Sequence, residues 1–332
     1  MAKIVEAATR LEVGSSFNLN IKLHRKNRVR SVYSSLAIEG NTLSLDEVTD
    51  VLEGKLVAGK QVEIKEVKNA FEAYDKIMTF DPYDVQAFLH AHKLMTDGLL
   101  KESGKFHSGD VGVFDDEKVV HVGARPQFVP QLIEELLIWA KETELHPLLK
   151  SAVVHCEIET IHPFADGNGR MGRLWQTLIL AKWNEIFAWI PMESLFFEKR
   201  PQYYEALQSA QKQNNSSEFI EFALSAILET IEAQAKYQES PKDAYANTPL
   251  TDTMVLVLKA LETKSLSRNE IFDAIGKKND YRAFKRNVEP LLFAGLIEMT
   301  VPDKPNSKSQ KYRITDKGSA VAMSSEGAPL SS

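Results

Sequence analysis

Residues 162–173 read His-Pro-Phe-Ala-Asp-Gly-Asn-Gly-Arg-Met-Gly-Arg (HPFADGNGRMGR). Three glycines, two arginines, a histidine and an aspartate in twelve positions are more polar and more conformationally free than a turn between helices needs. Glycines 167, 169 and 172 permit backbone with positive φ and close approach to a ligand. The apolar spacing of Met171, Leu174, Leu178 and Ile179 predicts a helix starting near Gly169, whose unpaired N–H groups and positive dipole end face the same point. Arg170 and Arg173 lie three apart, hence on one helical face, where each can grip phosphate oxygens. The segment reads as an anion cradle sized for more than one phosphate. Asp166 offers the hard oxygen that a phosphate-bound Mg²⁺ takes from protein. His162, at the end of the preceding helix, is placed to take a proton from a hydroxyl.

Outward from this segment, residues 1–237 carry helical periodicity punctuated by caps, and the fold class expected is mainly α. Ser44 and Glu47 form a capping-box pattern before a short helix ending at Gly54. Asp81-Pro82 reads as an N-cap with proline at the first helical position, opening a long helix through residues 83–100. Residues 107–125 break the pattern: β-branched residues flank an acidic turn, which predicts a β-hairpin. The polar stretch 238–249 is expected as a linker and 319–332 as a loose tail. Between them, residues 250–318 read as three helices and a hairpin, a winged helix, with a capping box at Ser267–Glu270. The expected division is thus a helical region over 1–80, a core over 81–237, the linker, the winged helix and the tail.

Composition narrows the setting. With 332 residues, 43% hydrophobic and 26% charged, the chain suits a globular protein of two or three domains. A net charge of −6 gives no global case for nucleic acid, so any such case is local. No stretch approaches the roughly 18 apolar residues of a membrane span, and the first residues lack a signal-peptide core. One cysteine, Cys156, excludes an intrachain disulfide. Cytoplasmic location and no membrane partner are the expectations.

The segment resembles, at every fixed position, the HPFx(D/E)GNGRxxR signature of the Fic family, whose members transfer AMP from ATP to protein hydroxyls. The resemblance extends over most of residues 30–215. It implies a Fic-type helical core with a hairpin flap, ATP as co-substrate and Mg²⁺ as cofactor. It further implies that His162 is the general base and that Asp166 holds the metal. Gly167, Asn168 and Gly169 would cradle the α- and β-phosphates, with Arg170 and Arg173 on the rest of the triphosphate. The hairpin resembles the flap on which an extended protein substrate docks by strand addition, and Val122 and Gly123 would lie against the nucleotide. Residues 200–207 (RPQYYEAL) resemble the adenosine-side helix, so Tyr203 and Tyr204 are candidate nucleotide contacts, ordinary core packing being the competing reading. Gln211 stands where relatives carry Asn.

A second stretch, residues 31–41 (SVYSSLAIEGN), predicts a helix capped by Gly40 with Glu39 in its last turn. A carboxylate there opposes the helix dipole by about 0.3–1 kcal/mol, so something positive should compensate. Ser35-x-x-x-Glu39-Gly40 is similar to the (S/T)xxxE(G/N) inhibitory motif of Fic proteins. That likeness implies a glutamate pairing with Arg173 and blocking the productive pose of the γ-phosphate, an autoinhibited enzyme. Some members also use this glutamate in removing AMP.

Other signals carry less. Gly54–Lys60 has P-loop spacing, but Gln61 replaces the required Ser or Thr and a helix precedes it. His90, His92, His155 and Cys156 lack zinc-site spacing and are read as core or surface residues. Between Lys277 and Lys317 ten basic residues face five acidic ones, so the winged helix suits a DNA partner, a protein partner or a homodimer contact. A different class of function, a DNA-binding regulator with a nucleotide-sensing core, has no need of the base His162. A third keeps the fold and moves another nucleotide.

Overall fold

The computed structural model describes residues 1–13, 21–115, 118–246, 250–301, 307 and 309–324. These fall into two units, one up to Ala233 and one from Gln234. The first unit is helical: α1 (Ala2–Val13), α2 (Ile21–Ile38), α3 (Leu45–Leu52), α4 (Gln61–Asp75), α5 (Val85–Thr96), α6 (Val129–Glu142), α7 (Pro147–Ile161), α8 (Asn168–Trp183), α9 (Met192–Glu198), α10 (Arg200–Gln213) and α11 (Ser217–Ala246). Its hairpin pairs β1 (Gly112–Asp115) with β2 (Lys118–Val122) antiparallel, with a register shift between Val113 and Phe114. The turn at 116–117 lies outside the described residues.

Helix α8 is the centre of this unit. Met171, Leu174, Trp175 and Leu178 are all buried, and so are the polar Arg170, Arg173, Gln176 and Thr177. A helix buried all round must find partners for such groups on its neighbours. Helix α7 supplies its most extensive packing, with α2 and α5 also against it. Trp175 donates its indole N–H to Pro82 O at 2.9 Å.

A second polar knot lies one turn along α8. Glu193 on α9, 1% exposed, accepts hydrogen bonds from Ser31 of α2 (2.7 Å), Tyr74 of α4 (2.8 Å) and Thr177 of α8 (3.1 Å). One carboxylate therefore fixes α2 against α8 and sets the register in which Ser35 and Glu39 meet Arg173. Nothing in the local sequence of α9 marks Glu193 as buried.

Several boundaries differ from the sequence expectation. Helix α5 is capped by Asp84, whose carboxylate accepts from Gln86 N and Ala87 N, while Asp81 accepts from Tyr83 N in the preceding turn. Both aspartates suit an N-cap by type, and the later one wins because Pro82 and Tyr83 complete the turn. The expected linker at 238–249 is helical through Ala246, since Pro241 does not stop α11. The expected tail is helical to Ser324, and 325–332 lie outside the described residues.

In the second unit α12 (Asp252–Leu261), α13 (Arg268–Ala274) and α14 (Tyr281–Asn287) are followed by the short α15 (Glu289–Phe293), the hairpin β3 (Ile297–Met299) and β4 (Tyr312–Ile314), and α16 (Asp316–Ser324). The capping box at Ser267 and Glu270 is present, and Asp280 caps α14. Val257, Leu258, Ile271, Phe272, Val288 and Leu291 form its core. Leu266 pairs with Tyr312, adding a one-residue bridge beside the hairpin.

Glu193→Ala should lower the unfolding free energy by about 3 kcal/mol in urea titration, because three buried hydroxyls lose their acceptor. Glu193→Gln, which keeps one acceptor oxygen, should lose about half as much.

Candidate functional site

Helices α7 and α8 are joined by residues 162–167, and the loop is locked rather than free. His162 ends α7 at φ +55°, a left-handed conformation that costs a non-glycine residue about 1–3 kcal/mol. Asn168 holds the loop closed: its Oδ1 accepts from Phe164 N (2.9 Å) and its amide donates to Phe164 O (2.8 Å). Phe164 is fully buried, stacked on His92 at 3.6 Å. His92 accepts from Gly104 N at Nδ1 (3.0 Å), which leaves Nε2–H to donate to Asp166 O (3.0 Å). The flap is tied to the same loop through His107 N to Pro163 O and Ala124 N to Ile161 O.

Of the three glycines only Gly167 needs a positive φ, at +90°. Gly169 and Gly172 lie in α8, in keeping with the predicted helix start near Gly169, and are there for space. A Cβ on Gly169 would run into Glu39 Oε1, and one on Gly172 would stand 2.5 Å from His155 Cδ2.

The loop opens onto a cavity of about 620 Å³ lined by Glu39, His121, Glu159, His162, Asp166, Gly167, Asn168, Gly169 and, from α10, Arg200, Tyr204, Leu207, Gln208 and Gln211, with Gly112 of the flap. That volume suits a small-molecule ligand. One end is the α8 N-terminus, the other the polar face of α10. Burial holds the His162 imidazole below the ordinary histidine range, with His121 and His107 adding to the shift and Glu159 opposing it. His162 is therefore neutral near pH 7 and able to accept a proton.

The two arginines do not lie side by side over the cavity. Arg173, 1% exposed, donates to Ser35 Oγ (3.1 Å), Ser35 O (3.1 Å), Tyr203 Oη (3.3 Å) and Glu39 Oε1 (2.6 Å). Burial opposes its charge, but Glu39, Tyr203 and Glu159 outweigh that and hold it protonated. Arg170 turns the other way, to Asp166 (3.0 Å) and Glu66 (3.6 Å). Glu39 follows α2 in a two-bond C-terminal cap: Asn41 N reaches Leu36 O and Gly40 N reaches Ala37 O, with Gly40 at φ +91°. The positive group that its position demanded is Arg173.

Other expectations are corrected. Tyr203 is fully buried with His155, Glu159 and Arg173 around its hydroxyl and does not line the cavity, so the packing alternative holds. Tyr204 and Gln211 do line it. On the flap, Gly112 and His121 face the cavity in place of Val122, which is exposed, and Gly123, whose absent Cβ makes room for His162 Cβ at 3.0 Å. Sequence reasoning missed Glu159, a carboxylate in the cavity wall three residues before His162.

Asp166 fits the part of metal ligand. Its carboxylate is more than half exposed at the cavity. Among the described residues no group of three His, Cys, Asp or Glu side chains converges. A Mg²⁺ ion at this cavity would have the Asp166 carboxylate as a protein ligand. Among the described residues no helix is long and apolar enough to cross a membrane.

Residues 82–180 match the Fic/DOC family, and residues 252–315 match the C-terminal domain of Fic-like proteins, filamentation induced by cAMP. The chain is 39% identical to a Fic family protein of Desulfovibrio desulfuricans G20 whose crystal structure superposes with a TM-score of 0.71, covering 96% of this chain and 95% of that one. It is 32% identical over 220 residues to a protein adenylyltransferase Fic of Nematostella vectensis and 27% identical over 205 residues to protein adenylyltransferase fic-1 of Caenorhabditis briggsae. The first alignment covers 61% of this chain and 47% of the relative, the second 57% and 38%, so the chain spans about half or less of those relatives. Fic-1 of C. elegans, 22% identical with a TM-score of 0.57 over 72% of this chain, shares the fold.

The burial of His92 sets an acid limit. Burial first, then the nearby Arg170, hold it down to about 4, with the Asp166 carbonyl and charge opposing. Its folded value is below the unfolded one, so its contribution to stability is present above about pH 6.5 and is lost as pH falls toward 4, at up to roughly 1.4 kcal/mol per pH unit. Urea titrations of wild type and His92→Gln between pH 7.5 and 4 should show the wild type losing stability more steeply.

Proposed function

The chain belongs to the Fic family, and from that premise we propose that it is an autoinhibited protein adenylyltransferase, moving AMP from ATP to a Ser, Thr or Tyr hydroxyl of a protein, itself included. The observation that carries the proposal is the sharing of one cavity by a neutral His162, the α8 N-terminus and Asp166. A site that only sensed a nucleotide would need the anion end without the base.

In this reading the triphosphate lies across the N–H groups at the start of α8, which favour negative charge. His162 takes the proton of the target hydroxyl as its oxygen bonds to the α-phosphorus. The bond from that phosphorus to the bridging oxygen breaks and pyrophosphate leaves. Mg²⁺ held by Asp166 would supply charge compensation for the phosphates. The fixed loop geometry, braced by Asn168 and Phe164, supplies positioning, to which such transfers owe most of their rate. An extended target segment would add to the hairpin edge and present its hydroxyl to His162.

Inhibition rests on the 2.6 Å pair of Glu39 with Arg173. The carboxylate occupies the anion end and engages the guanidinium that the triphosphate would use. It also lies against Gly169, where the phosphates must approach. For the second unit we propose a protein partner over DNA, because three of its basic side chains are already engaged: Lys311 with Glu270, Arg313 with Glu298, and Lys317 with the Ala294 carbonyl.

Intact mass spectrometry after incubation with ATP and Mg²⁺ tests the reaction. Glu39→Gly should acquire an added mass of about 329 Da, one AMP, at least tenfold faster than wild type. Glu39→Gly/His162→Ala should acquire none. Equal labelling of the double variant would remove His162 from its role.

A further inference from the structure

Glu159 is the one acidic side chain on the cavity wall that neither the signature nor the inhibitory pair uses. It lies on α7, one turn before His162, with 11% of its side chain exposed. Its Oε1 accepts from Tyr203 Oη at 3.2 Å and stands 3.7 Å from His155 Nε2. Its Oε2 has no hydrogen-bond partner among the described residues and is left to the cavity. Burial opposes the charge of this carboxylate, but the hydrogen bond and charge of His155 and the charge of Arg173 outweigh that and hold it below the ordinary carboxylate range.

An ionised carboxylate repels phosphate, so its ligand must be the nucleoside part of the molecule. It can only accept hydrogen bonds, and a nucleoside donates from its sugar hydroxyls and its base amine. Distance decides between them. Residues three apart on a helix are about 5–6 Å apart at Cβ. The path from the α-phosphorus through the 5′ carbon to the sugar hydroxyls spans about the same length by ordinary covalent dimensions, whereas the base amine is roughly twice as far. With the α-phosphorus beside His162, Glu159 meets the sugar. Leu207 and Tyr204 of α10 also line the cavity and offer an apolar edge and a ring for the base.

We propose that Glu159 is a specificity-determining residue that accepts a hydrogen bond from a ribose hydroxyl and makes the site select ribonucleotides over deoxyribonucleotides. The proposal rests on the nucleotide-transfer reading above and adds a sugar preference to it. Tyr203 is the positioning residue, since its hydroxyl fixes Oε1 and so aims Oε2.

Calorimetric titration of the full chain carrying Glu39→Gly, with ATP, 2′-deoxy-ATP and 3′-deoxy-ATP, tests it. One of the deoxy nucleotides should bind at least tenfold more weakly than ATP. Adding Glu159→Ala, which removes the acceptor altogether, should weaken ATP by about the same factor, leave that deoxy nucleotide unchanged and so erase the ratio. Glu159→Asp, which keeps the charge but withdraws it by one carbon, should give an intermediate ratio, and melting temperatures of both variants check that they fold. An unchanged ratio in the Glu159→Ala chain, or no discrimination in Glu39→Gly, would overturn the assignment. If Glu39→Gly binds ATP and gains AMP while the ratio stays put, only the sugar role falls. If it binds no nucleotide, the transfer reading falls with it.

Discussion

A guanidinium that is 1% exposed in the middle of a helical core is the constraint around which this site is arranged. A buried charge without partners is prohibitive, so Arg173 of α8 draws in α2 through Ser35 and Glu39 and α10 through Tyr203. Glu193 secures α2 against α8 one turn away, so the meeting point is fixed from two sides. The Ser35 and Tyr203 contacts do not depend on Glu39. Arg173 can therefore exchange one carboxylate for a phosphate without leaving its place, and Glu39, a third exposed, is the partner that can go. Under the proposed reading that asymmetry is what makes the pair a regulator instead of a structural bridge.

The reactive groups follow the same logic of placement on rigid elements. His162 is held in a left-handed turn because Phe164 is wedged against His92 and Asn168 clasps the Phe164 backbone from both sides. The strain at His162 is sustained by packing around it. Arg170, turned to Asp166 and Glu66, steadies the carboxylate that fits a metal. The flap is anchored by backbone hydrogen bonds to residues 161 and 163 on either side of His162. Any target strand added to it would thus be referenced to His162.

Much of this was legible in the sequence, for identifiable reasons. The signature spacing made the α7–loop–α8 unit legible, because glycine, asparagine and arginine at those intervals serve few other purposes. Glu39 was legible because a carboxylate at a helix C-terminus demands a compensating cation, and Gly40 marked that terminus. What failed depended on tertiary space. At Gly169 and Gly172 the need is for a narrow residue inside a helix, which only the neighbours Glu39 and His155 reveal. Tyr203 and Tyr204 are adjacent in sequence with rings 5.3 Å apart, yet one is buried in the core and the other lines the cavity. Glu159 and Glu193 were invisible for the same reason: local pattern treats an isolated glutamate as a surface residue, and burial comes only from the packing of α7, α9 and α10. The stretch at 238–246 shows the converse, polar composition read as linker where the backbone remains helical.

Under the proposed reading, Glu39 already commits the cation that would otherwise receive the third phosphate. Isothermal titration of ATP and ADP into wild type and Glu39→Gly measures this without relying on turnover. With Arg173 engaged, wild type should bind ATP and ADP within about a factor of two. Glu39→Gly should prefer ATP by tenfold or more, about 1.4 kcal/mol for the released charge-assisted contact. A wild-type chain that already prefers ATP as strongly as Glu39→Gly would contradict the claim.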